Sequence, residues 1–137
     1  MTPRVAFVLA DLEAGGAQRV ILTVARYIDR ELLRPSLVVV NPRGPLRREL
    51  PEGLVRYTFG GSRLRHAVPG LIRCLRSLRP DVIVTTVSHL NLVLLGIRDT
   101  LPRSARLLVR EANTPSARLL STAHPRAYRF LYRRLYP

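Results

Sequence analysis

A chain of 137 residues, 47% hydrophobic and 23% charged, holds enough apolar surface for one core, which excludes a largely disordered polymer and argues against two independent domains. Its formal net charge is +14 and all 23 basic residues are arginine, so whatever compositional bias produced it, the surface attracts phosphate groups, anionic headgroups or nucleic acid. A single cysteine, Cys74, excludes an internal disulfide framework and is consistent with a reducing compartment.

The N-terminal Met1-Thr2-Pro3-Arg4 leads into Val5–Ala10, an apolar run too short for a secretory leader and followed at once by Asp11 and Glu13. Arg4 to Ala10 therefore reads as a strand buried on both faces, and the chain as cytoplasmic. Asp11 to Gly16 is a loop ending in a glycine pair. Ala17, Val20, Ile21, Val24, Ala25 and Ile28 then form one apolar helical stripe, with Arg19, Arg26 and Arg30 off it. Ser36–Val40 is a second buried strand, closed by the turn cluster Asn41-Pro42-Arg43-Gly44-Pro45. Leu46 to Leu50 fits one helical turn, and Leu54 to Phe59 a third strand ended by Gly60-Gly61.

His66 to Arg79 is predicted as a helix with Val68, Leu71, Ile72, Leu75 and Leu78 on one side and Arg73, Arg76 and Arg79 on the other. Cys74 sits beside that stripe as a core or flank residue. Pro80 stops the helix, Asp81–Val87 is a fourth strand, Leu90 to Asp99 a largely buried helix, and Arg106–Arg110 a fifth strand. The longest apolar run, Leu90 to Ile97, is interrupted by Asn91 and Gly96 and falls far short of the roughly 20 residues of a membrane span. Beyond His124-Pro125 the chain ends in a helical stretch with Tyr128, Leu131, Tyr132 and Leu135 on one face. Strands alternating with helices predict a doubly wound, Rossmann-like parallel sheet of about five strands.

Ligands in such sheets bind at the carboxyl ends of the strands. Four loops fall there, and they collect the polar residues: Asp11 to Gly16, Asn41 to Gly44, Ser88 to Asn91, and Glu111 to Thr114. Gly15-Gly16 opening a helix lets a ligand approach the backbone and offers free N–H groups to an anion, although a tight turn explains the pair equally well. The dinucleotide fingerprint and the P-loop are both absent. Three histidines and one cysteine, all far apart, give no metal spacing, so no metal site is expected.

Taken in order, Val5 to Val20 with its Gly15-Gly16-Ala17-Gln18-Arg19 turn resembles the opening of family 4 glycosyltransferases, with glutamine where that group often has glutamate. Arg79-Pro80-Asp81-Val82-Ile83, Ser88-His89 and Val109 to Thr114 extend the resemblance over nearly the whole chain. It implies a retaining enzyme of the GT-B kind, in which two Rossmann-like domains face a cleft. This chain would be the acceptor-side half, and nucleotide sugar would be a co-substrate, without further cofactor. Gly15 and Gly16 would lie against the donor's phosphate and sugar, while Asp11, Glu13, His89, Asn91, Glu111, Asn113 and Thr114 would line the cleft or bind the acceptor. The acceptor would be a glycan or lipid-linked glycan at the inner membrane face.

Asn113 stands at or near the place where many relatives have a histidine, so no catalytic histidine is assigned to that loop. The donor-binding domain with its E-x7-E element would follow Pro137, so these residues are expected to be an incomplete half, inactive alone or completed by a partner chain. Glu111 would serve as a cleft carboxylate or as the ion-pair partner of Arg110 or Arg118. Arg126, Arg129, Arg133 and Arg134, set beside Tyr128, Tyr132 and Tyr136, offer contact to an anionic membrane or form a solvated helix face; no recognised motif supports nucleic acid. The rival reading is a non-enzymatic basic α/β module that binds an anionic membrane or another protein chain.

Overall fold

In the computed structural model, which describes residues 1–59 and 63–136 apart from the side chains of Pro115 and Arg118, the apolar runs become strands of one sheet. The elements are β1 (Arg4–Leu9), α1 (Gly16–Tyr27), β2 (Arg34–Val39), β3 (Val55–Thr58), α2 (Leu64–Leu78), β4 (Val82–Thr86), α3 (Ser88–Gly96), β5 (Arg106–Arg110), α4 (Pro115–Ser121) and α5 (Pro125–Leu135). Short 3-10 turns at Pro45–Glu49 and Arg98–Thr100 complete the connections. The strand order is β3-β2-β1-β4-β5 and every pairing is parallel. The chain winds outward from β1 in one direction, then returns to begin again at β4. The doubly wound, Rossmann-like α/β class is thus the observed one, and β1 and β4 flank its topological switch point.

Parallel strands alternate their side chains between two covered faces, and here the two faces carry two separate cores. On one face Val5, Phe7, Leu9, Leu37 and Val39 meet Ile21, Leu22 and Ala25 of α1, with Leu46 and Leu54 alongside. On the other, Ala6, Val8, Val38 and Ile83 meet Leu71 and Leu75 of α2 and Leu90 and Leu94 of α3. Cys74 packs at the margin of this second core, where burial pushes its thiol up. Removing any one of these fully buried leucines from water contributes about 1.5–3 kcal/mol.

The ends of the elements follow local chemistry. Arg79 closes α2 in the left-handed conformation (φ 46°), its N–H donating to Leu75 O at 3.0 Å, and Pro80 then prevents continuation. Asp81 staples the starts of three strands: its Oδ2 accepts from the Arg4 N–H at 2.7 Å and its carbonyl from the Arg106 N–H at 2.9 Å. The edge strand β3 is exposed along its whole length. The glycine pair expected to close it, Gly60-Gly61, lies outside the described residues.

Two expectations are revised. The buried stripe of α1 runs through Gln18, Ile21, Leu22 and Ala25, and not through Val20 and Val24, which are 40% and 45% exposed. Apolar residues cover more than half of this helix, so its sequence offers two overlapping stripes. Gln18 lies on the buried side, where its Nε2 donates to Asp11 Oδ1 at 2.8 Å and ties that side of the helix to the preceding loop. The segment after β5 also contains a helix the sequence reading left unassigned, α4, with proline in its first turn as a helix start favours.

Candidate functional site

The strand order brings together loops far apart in sequence. An open cleft of about 520 Å³ lies at the switch point, lined by Gly15, Gly16, Ala17, Gln18 and Val20 from the start of α1, Val87 and Ser88 from the start of α3, and Arg110, Ala112 and Asn113 after β5. The β1–α1 loop is built from beneath. Asp11 Oδ1 accepts from both the Glu13 N–H (3.1 Å) and Gln18 Nε2, folding Asp11–Gly15 into a fixed turn. The following turn clamps it: the Leu12 N–H donates to Arg43 O and the Leu46 N–H to Leu12 O, each at 3.0 Å. Gly44 (φ 130°) makes that clamp possible, since a Cβ there would stand 2.1 Å from Leu12 O.

Two helices therefore begin at the cleft. Neither α1 nor α3 has a side-chain cap, and neither carries an acidic residue in its first turn. Each contributes the partial positive charge of its aligned peptide dipoles, and Arg110 adds a full one. A Cβ at Gly16 would meet nothing within 4 Å, so the opening over that residue is free. At Gly15 a Cβ would fall 2.3 Å from Gln18 Oε1, so a side chain there displaces the glutamine that holds the loop. Val87, a β-branched residue at φ 80°, occupies a conformation that costs on the order of 1–3 kcal/mol. It sits where β4 turns abruptly into α3 and aims the start of that helix at the cleft.

Behind Ser88 lies a polar cluster. Glu111 accepts hydrogen bonds from Ser88 Oγ at 2.8 Å, from Asn91 Nδ2 at 3.1 Å and from the Tyr136 hydroxyl. Asn91 Nδ2 also donates to Arg110 O at 2.9 Å, which ties the end of β5 to α3. Tyr136 stacks on Tyr132 with ring centroids 5.0 Å apart, and Tyr132 faces Tyr128 at 6.4 Å. Burial, followed by the hydrogen bond to Glu111, pushes the Tyr136 hydroxyl well above the ordinary phenol range; burial likewise raises Tyr132. Through this ladder α5 rests on α3 although no residue of α5 is fully buried.

Of the residues singled out from sequence, Gly15, Gly16 and Asn113 line the cleft together. Asp11 shapes the loop from behind, and Glu13 is exposed on it. Asn91 is fully buried and Glu111 is turned toward Ser88, Asn91 and Tyr136, so both belong to the supporting wall. His89 is half-buried in the first turn of α3, and Thr114 is exposed at the start of α4 without capping it. Arg126, Arg129, Arg133 and Arg134 lie apart from the cleft, exposed on α5. The Arg118 side chain, an alternative partner for Glu111, lies outside the described residues. The sequence reading missed Gln18, Val87 and Arg110 as cleft residues, and it set Ser88 in a loop at the ligand-binding edge without assigning it to the cleft. Ser88 and Arg110 carried a usable signal, since each is the polar residue at or just beyond the carboxyl end of a strand.

Comparison with protein-family models and with curated proteins returns no match. Fold and cleft together define the class: a doubly wound α/β domain whose switch-point cleft presents two helix N-termini and an arginine. No helix among the described residues is long and apolar enough to cross a membrane.

Proposed function

We propose that this chain is the acceptor-side domain of a retaining, family 4-like glycosyltransferase and that its switch-point cleft receives the diphosphate of a nucleotide sugar. The observation that carries the reading is the convergence of the α1 and α3 N-termini with Arg110 around the open backbone of Gly16. Helix starts without a side-chain cap, their dipoles and a cation favour an anion there, and they would stabilise the charge that grows on a departing diphosphate. The sequence resemblance in the same residues supplies the reaction class: sugar transfer to a hydroxyl of a glycan or lipid-linked acceptor. On this reading the donor's base and most of its leaving-group charge are gripped by a second domain, so these residues alone are expected to bind without measurable turnover.

The test is amide hydrogen exchange with inorganic pyrophosphate and uridine diphosphate as probes. Slowed exchange at Gly16 and Ala17 and at the start of α3, abolished in Arg110→Gln, supports the proposal. Unchanged exchange at both helix starts at millimolar pyrophosphate rejects it and leaves the non-enzymatic basic-module reading standing. Robust sugar transfer by these residues alone would overturn the expectation of binding without turnover.

A further inference from the structure

The helix α5 carries two unlike faces. Tyr132 and Tyr136 turn inward onto Glu111 and α3, so the aromatic residues that the sequence placed beside the arginines are committed to the protein's interior side. The outward face is built around Phe130, which is 66% exposed, with Arg126, Arg133 and Arg134 at the i−4, i+3 and i+4 positions around it and Arg129 at its edge. Beside it, across a shallow groove that also contains Arg126 and Arg129, α4 presents Leu120 at 91% exposure. From Ala112 to the last residue the sequence contains no aspartate or glutamate, so nothing on this segment offsets the arginines.

We infer that the outer face of α4 and α5 docks on an anionic lipid bilayer. The charge selects an anionic surface, and the two exposed apolar side chains select a bilayer among anionic surfaces. Phe130 and Leu120 can enter the acyl boundary while the arginines around them reach back to the phosphate layer on flexible apolar stems. A duplex backbone would use the four charges and leave both apolar groups in water, and a single strand stacking a base on Phe130 would still leave Leu120 there. The inference is independent of what the cleft binds, because no residue of this face lines it.

The protein has no tryptophan, so Phe130→Trp installs a single fluorescent reporter at the centre of the face. Vesicles of equal parts phosphatidylcholine and phosphatidylglycerol should shift its emission to the blue, and vesicles of phosphatidylcholine alone should not. In flotation with the unlabelled chain, the double variant Leu120→Ala/Phe130→Ala should bind the anionic vesicles about tenfold or more weakly, from the apolar area lost. Each Arg→Gln change among Arg126, Arg129, Arg133 and Arg134 should weaken binding about fivefold at low salt. All these positions are exposed, so circular dichroism of the variants should match the parent. Equal binding to both kinds of vesicle, or full binding by the double alanine variant, overturns the inference. So does polyuridylate displacing the protein from vesicles with no emission shift on either, which would assign the face to nucleic acid.

Discussion

The sheet with its first three helices and the C-terminal helix pair are held by different physics. On one side of the sheet Leu71, Leu75, Leu90 and Leu94 are completely buried, so α2 and α3 are fixed by apolar area that neither pH nor salt titrates. The helix α5 buries no residue fully and is fixed by a carboxylate that gathers three donors and by stacked tyrosines. A region of the first kind unfolds with the whole domain. A region of the second kind can detach locally, because few apolar contacts oppose its opening. The cleft sits on the seam between them, with Ser88 and Arg110 contributed by the rigid part and the wall behind them shared with α5.

The largest effect should come from the apolar side. Leu71→Ala should destabilise the domain by about 3 kcal/mol through lost transfer energy and a cavity, lowering the denaturant midpoint seen by every probe alike. Next, Glu111→Ala leaves the buried Ser88 hydroxyl and Asn91 amide without their shared acceptor and should cost about 2 kcal/mol. If the two regions differ as described, hydrogen exchange will accelerate first in α5, ahead of the sheet. Simultaneous acceleration everywhere would show that α5 is an integral part of the core.

A smaller and more selective change is Tyr136→Phe, expected to cost about 1 kcal/mol. Because the folded-state pKa of Tyr136 is raised, its contribution is complete below the ordinary phenol pKa of about 10 and is lost as pH climbs through the higher folded value. Ultraviolet titration of the parent should show tyrosine ionising late, with α5 releasing in step, and Tyr136→Phe should remove that delayed portion. Gly15→Ala should cost only about 0.5–1 kcal/mol, because Gln18 can swing away, yet it loosens the Asp11 bond and should weaken pyrophosphate protection of α1 far more than it lowers stability. Smallest of all, Val20→Ser and Val24→Ser should change stability by no more than about 0.5 kcal/mol, whereas Ile21→Ser should be severe. Chemical denaturation of the three variants tests which stripe of α1 is buried.

That last comparison marks where sequence patterns stop. Val20 and Val24 satisfy a 3.6-residue period as well as Ile21, Leu22 and Ala25 do, and periodicity has no means of choosing between overlapping stripes. The buried stripe includes Gln18, a polar residue whose bond to Asp11 exists only once the loop has closed. The same limit explains Glu111. As the last acidic residue on a basic chain it reads as a cleft carboxylate, and only the approach of α5 shows that its oxygens are already occupied.

The continuous apolar runs at β1, β2 and β4, the alternation of strand and helix, and the proline and glycine breaks determine by themselves the order of the five strands and the helices between them and the doubly wound class, because parallel strands buried on both faces require such runs and crossovers have one hand. The place of Gly15-Gly16 at the carboxyl end of a buried strand, the edge where the cleft lies, is likewise legible. Which loops share a cleft was decided by tertiary structure alone. The order β3-β2-β1-β4-β5 sets the ends of β1 and β4 side by side and draws Arg110 to the two helix starts. Adjacency of strands is a property of the folded sheet, settled by competition among all the pairings at once, and no local stretch of residues encodes it.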